Sequence, residues 1–99
     1  MLTGKQRGYL RGLANKIDAI FQIGKAGIND NLTKQVGEAL EARELVKVHV
    51  LESAEGDVRE LCQTLCEGTG AEPVQVIGRR FSIYRPAEEP RIQLPRVER

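Results

Sequence analysis

Val46-Lys47-Val48-His49-Val50 is the clearest period-two alternation in the chain, and it restricts the fold more than any other stretch. Three valines go to one face of a strand, and Lys47 and His49 go to the other. Such a strand belongs to a sheet covered on one side and at least partly wet on the other. The flanking segments carry the cover at helical spacing. Before the strand, Leu32, Val36, Ala39 and Leu40 mark a helix over about Asn31 to Arg43, capped by Asn29 or Asp30. After it, Val58, Leu61, Cys62 and Leu65 mark a helix beginning near Ala54, with Glu55 and Asp57 suiting its dipole and Gly68 or Gly70 ending it.

The two ends of the chain add three further elements. Thr3-Gly4-Lys5-Gln6 has the capping-box pattern and predicts a first helix, with Tyr9, Leu10, Leu13, Ala14 and Ile17 as its apolar stripe. Ala19-Ile20-Phe21-Gln22-Ile23 is short, apolar and rich in strand formers, as a buried strand would be. Val74-Gln75-Val76-Ile77, Gly78-Arg79 and Arg80-Phe81-Ser82-Ile83-Tyr84-Arg85 form a hairpin pattern around a two-residue type II′ turn. Beyond Pro86 the sequence is rich in proline and charge, with neither a helix cap nor a sustained strand pattern. The reading is one domain over residues 1–86, followed by a charged tail over 87–99.

Between the first strand and the second helix lies Gly24-Lys25-Ala26-Gly27. The first turn of a helix has unpaired N–H groups and partial positive charge, both suited to a phosphate. Lys25 adds a mobile full charge, and glycines at both ends leave room for close approach of a sugar-phosphate backbone. A G-x-x-G loop is also how KH domains clamp nucleotides by their backbone. Two glycines would equally serve a plain tight turn, so the loop gains meaning only with the charge around it.

The formal net charge of +1 conceals a division. Residues 1–50 hold eight Lys/Arg against five Asp/Glu, whereas residues 51–71 hold only Arg59 against five acids. Residues 72–99 hold six arginines against four glutamates. A basic first helix and a basic last hairpin around one acidic element would offer one face to a polyanion and turn another away.

Several other chemistries are disfavoured. The chain has no nucleophile-base-orienter set, no paired-carboxylate site and no Walker-A or dinucleotide glycine spacing, so it reads as non-catalytic and without a small-molecule substrate. Cys62 and Cys66 lie one helical turn apart, and with one distant histidine they cannot complete a zinc site. They are expected to be reduced thiols, Cys62 in the core. No metal or other cofactor is called for. Neither a signal peptide nor a membrane span is apparent, which makes a cytoplasmic monomer the expectation. The aromatic residues are too few for a base-stacking platform, so recognition would rest on backbone and shape.

The order helix, strand, GKAG loop, helix, strand, helix, hairpin resembles the YhbY-type CRM domain, the RNA-binding module named for chloroplast RNA splicing and ribosome maturation. Carrying the resemblance are Leu2-Thr3-Gly4-Lys5-Gln6-Arg7, Leu10, Leu13, Gln22-Ile23-Gly24-Lys25-Ala26-Gly27-Ile28 and Ala39-Leu40-Glu41. It continues through Glu44-Leu45-Val46-Lys47-Val48 and Val74-Gln75-Val76-Ile77-Gly78-Arg79 to Tyr84-Arg85. The resemblance implies a two-layer α/β (α+β) domain of order αβαβαββ. Its four-stranded mixed sheet would be similar to the C-terminal domain of translation initiation factor three, with an added N-terminal helix. It also implies binding to ribosomal RNA, in a precursor of the large subunit (a pre-50S particle), through Gly24, Lys25, Ala26 and Gly27. Lys5, Arg7, Arg11, Lys34 and Arg79 extend that site by charge and position. The rival reading is a module that docks on a ribosomal or other protein.

Overall fold

In the computed structural model, which describes residues 2–96, Thr3 caps helix α1 (Gly4–Ala14) through the reciprocal pair its sequence predicts. Thr3 Oγ1 accepts from the Gln6 N–H and Gln6 Oε1 accepts from the Thr3 N–H, each at 3.1 Å. Two otherwise orphaned donors are satisfied. Thr3→Ala is expected to cost about 1 kcal/mol in chemical denaturation. An unchanged midpoint would mean that burial of Leu2, not the cap, sets the helix start. Leu10 and Ala14 are buried and Leu13 and Ile17 partly so, but Tyr9 is 43% exposed, outside the stripe expected for it. It sits about 100° around the helix from Leu10, past the edge of the covered face.

The remaining elements are β1 (Ala19–Ile23), α2 (Asp30–Arg43), β2 (Leu45–Val50), α3 (Val58–Thr69), β3 (Glu72–Ile77) and β4 (Arg80–Tyr84). Asn29, not Asp30, caps α2: its Oδ1 accepts from the Leu32 N–H at 2.8 Å. Helix α3 starts later than Ala54, at Val58, and ends on Gly70 in the left-handed region at φ +76°, a conformation glycine adopts without a Cβ penalty. The strands form one sheet of order β1-β2-β4-β3, with β1 parallel to β2 and the other pairs antiparallel. This is an α+β fold of three helices and a four-stranded mixed sheet.

Each sheet face has its own apolar cluster. Val46, Val48 and Val50 are buried with Ile23, Phe81 and Ile83 beneath α2 and α3, as the alternation requires. On the opposite face α1 places Leu10 and Ala14 over Leu45, Val74 and Tyr84, so it covers only the end of the sheet where β2 begins. Burial, and then the charges of Glu44 and Glu72, push the Tyr84 hydroxyl above its ordinary range. The β3–β4 turn has Gly78 at φ +58° with no positive φ at Arg79, the pattern of type II′. Arg85 ties the helical layer to the hairpin by donating to the carbonyls of Thr69 at 2.7 Å and Gly37 at 2.9 Å. Cys62 and Cys66 are buried free thiols. A hydrogen bond to Cys62, and then burial, hold Cys66 far up in the protonated form.

The segment after Pro86, read from the sequence as a charged tail, packs on the domain. It forms neither helix nor strand, yet Ala87 is buried and Ile92 and Leu94 pack on the α1 cluster. The anchor is Glu44, only 1% exposed, at the end of α2. Its carboxylate accepts from the N–H groups of Ala87 at 3.0 Å and of Arg91 and Ile92 at 2.8 Å each. Further along, Gln6 Nε2 donates to the Pro95 carbonyl at 3.1 Å. Proline and charge composition signal a lack of internal structure, but not a lack of external partners. The residues at the basic end of the expected tail, 97–99, lie outside those described.

Candidate nucleic-acid interface

Gly24 to Gly27 form a closed turn in which the Gly27 N–H donates to the Gly24 carbonyl at 2.9 Å. Lys25 and Ala26 occupy its outer corner, both exposed. The two glycines do different work. Gly27 has φ +70°, and a Cβ built there meets nothing within 4 Å, so both its conformation and its surroundings leave the backbone approachable. A Cβ on Gly24 would instead lie 3.4 Å from Leu51 Cδ1 and 3.6 Å from Ser53 Oγ. Both are ordinary van der Waals separations, so Gly24 faces the β2–α3 loop and not open space, and a Cβ there would pack against Leu51.

The start of α2 is less vacant than its sequence context predicts. Asn29 already occupies the Leu32 N–H, and the exposed Asp30 places a carboxylate in the first turn. Both compete with an incoming phosphate. The loop that follows Leu51 carries three exposed acidic residues, Glu52, Glu55 and Asp57, which add negative charge to the connection between β2 and α3.

The nine expected residues do not form one cluster. Arg79 comes to the same end of the sheet as the turn, because β1 and β2 finish there and the hairpin turns there. The Leu51 N–H donates to the Ile23 carbonyl at 2.8 Å. Arg79 closes the same corner, donating from Nε to the Val50 carbonyl at 2.9 Å and from Nη2 to the Leu51 carbonyl at 2.7 Å. Arg79 is thus first a brace for the end of β2 beside the turn, contributing charge from a fixed position. Lys5 and Arg7 belong to the start of α1, which is held at the opposite end of β3: the Leu2 N–H bonds the Glu72 carboxylate and Arg7 Nε donates to the Pro73 carbonyl at 3.3 Å. Arg11 lies along the β3 edge in a shallow hollow with Arg7 and Arg59. Lys34 is exposed on α2, across the sheet from α1.

The uncovered half of the α1 face carries residues beyond those nine. Lys47, His49 and Arg80 share it with Gln22, as the pairs Gln22↔His49, Lys47↔Ser82 and His49↔Arg80 require, while Ser82 on the same face is buried among them. The alternation around Lys47 does point to this polar face, but only the short reach of α1 leaves it open. Among the described residues, no group of three or more His, Cys, Asp or Glu side chains could hold a metal ion. None of the described helices is long and apolar enough to cross a membrane.

The CRS1 / YhbY (CRM) domain family matches this chain over residues 2–85. The chain is 47% identical over 96 residues to the "Probable RNA-binding protein YqeI" of Bacillus subtilis, covering 96% of this chain and 100% of that protein. It is 34% identical over 95 residues to an "RNA-binding protein" of Haemophilus influenzae, covering 96% of each. The solution structure of SAV1595 from Staphylococcus aureus superposes with a TM-score of 0.81 at 57% identity, covering 96% of this chain and all of that one. The order of elements, the GKAG turn between β1 and α2 and these matches together place the chain in the CRS1/YhbY (CRM) domain family.

Proposed function

We propose that this protein binds RNA without catalysis, and that its target is ribosomal RNA in a pre-50S particle of the cytoplasm. The carrying observation is the exposed Lys25 at the corner of a turn whose far glycine borders open space, beside the end of β2 that Arg79 ties down. Relatives named as RNA-binding proteins support the nucleic-acid partner. Lys25 pairs with a phosphate, Gly27 admits the backbone, and Arg79 and Arg80 add charge at the same sheet end. Lys5, Arg7, Arg11 and Lys34 contribute at longer range, as a diffuse field rather than as one contact set.

Two measurements test this. RNA affinity should fall with ionic strength by roughly 0.7 log units per log salt for each single-strand phosphate contact, and Lys25→Glu should weaken binding roughly tenfold at low salt. An affinity indifferent to salt would favour a protein-docking module instead. In gradient sedimentation of a cell lysate, the parent should travel with particles slightly lighter than mature large subunits, and Lys25→Glu should stay nearer the top. If both stay at the top, the ribosomal target is wrong.

A further inference from the structure

A groove of about 510 Å³ opens where α1 ends and β1 and β2 begin, within the range of small-ligand sites, about 300–1,000 Å³. Its apolar lining includes Leu13, Ile17, Ile20 and Ile92, the last delivered by the segment that Glu44 anchors. Ile20 falls at the irregularity in the β1–β2 register, between Ala19 and Phe21, and remains 43% exposed. Such irregularities re-aim a side chain, and here the result is a large aliphatic group on an open wall.

Three cations rim this groove: Lys16 just past α1, Arg43 at the end of α2 and Lys47 on β2, against one acid, Asp18. Arg7, Arg79, Arg85 and Arg91 all spend N–H groups on backbone carbonyls. The side chains of the three rim cations have no hydrogen bond or ion pair among the described residues. An apolar wall beside unpaired positive charge suits a ligand with a flat apolar part and an attached anion. A wholly polar polyanion would leave the wall unused, and an apolar helix would bury the cations without partners.

The groove is also continuous with the surface proposed for RNA. Lys47 lines a neighbouring hollow with Gln75, Arg80 and Ser82 of the sheet and with Asn15 at the end of α1. From Lys47 to Val50, beside the GKAG turn, is about 10 Å along β2. We propose, resting on the RNA-binding reading, that this groove seats one unpaired nucleotide of the bound strand. The base lies on Ile17 and Ile20, and its phosphates face Lys16, Lys47 and Arg43. An aliphatic seat takes the place of the aromatic platform this chain lacks.

The test compares fluorescein-labelled decauridylate with a decamer of the same ribose-phosphate backbone lacking bases, by fluorescence anisotropy. The parent should prefer the base-bearing strand about fivefold, as burial of roughly 40 Å² of aliphatic surface predicts. Ile20→Thr, which keeps the β-branching that strands favour, should abolish most of that preference while leaving affinity for the abasic strand unchanged. Lys25→Glu should weaken both strands equally and preserve the preference. Methyl NMR signals of Ile17 and Ile20 should shift with decauridylate and not with the abasic decamer, a readout independent of any variant. Equal binding of both strands by the parent, or a preference that survives in Ile20→Thr, overturns the groove proposal alone. Failure of the parent to bind either strand overturns the RNA reading together with it.

Discussion

Ending the chain at Pro86 is expected to lower its melting temperature by roughly 10–25 °C, the equivalent of about 3 kcal/mol for a domain of this size. The matched family region stops at residue 85, so the shortened chain would retain every helix and strand. It would lose the cover that Ile92 and Leu94 give to Leu2, Leu10, Leu45 and Tyr84. It would also leave Glu44, now buried at 1% exposure, without the three N–H groups that make its ionised form tolerable there. Two effects moderate the loss: the removed residues no longer need ordering, and water reaches the uncovered carboxylate. A truncated chain that melts within about two or three degrees of the parent would show that the segment rests on the domain without stabilising it.

The difference between what was legible in the sequence and what was not lies in how far apart the partners are. Thr3 and Gln6 meet within one helical turn, and the valines of β2 report their own face by alternation. The type II′ hairpin is fixed by two adjacent residues. Local rules suffice for all of these. Glu44 defeats them. It reads as an ordinary helix-end glutamate before a strand, but its backbone is at φ +68° and its partners lie 43 to 48 residues away. Arg79 is similar: an arginine at a hairpin tip reads as free charge, and only the fold reveals that the ends of β2 are within its reach. In the loop, the glycine spacing was visible, but not that Gly24 faces Leu51 while Gly27 faces open space. The groove was hidden for the same reason, since its lining comes from three separate stretches of the chain, around Lys16, around Arg43 to Lys47, and at Ile92.

Glu44 also makes stability dependent on pH in a way that a single substitution isolates. Burial opposes its ionisation, but the N–H groups of Ala87, Ile92 and Arg91, with the charge of Arg91, outweigh that opposition and hold the carboxyl below its ordinary value. In the unfolded chain it titrates near about 4.3. The folded form therefore binds its proton less readily, and this contribution is fully present above the unfolded value and is lost as pH falls through the folded one. Glu44→Gln keeps the size and one acceptor oxygen but has no charge to lose. Its deficit relative to the parent should be roughly 1–3 kcal/mol at pH 7 and shrink as pH falls below about 4, measured as the difference between denaturation curves so that other carboxylates cancel. Glu44→Gly relieves the positive φ by about 1 kcal/mol yet removes all three acceptor contacts, so it too should remain less stable than the parent at pH 7. A deficit of Glu44→Gln that stays constant from about pH 7 to about pH 3 would mean the carboxylate is not held ionised by these contacts. A glycine variant as stable as the parent would mean that strain at this helix end costs more than the anchor returns.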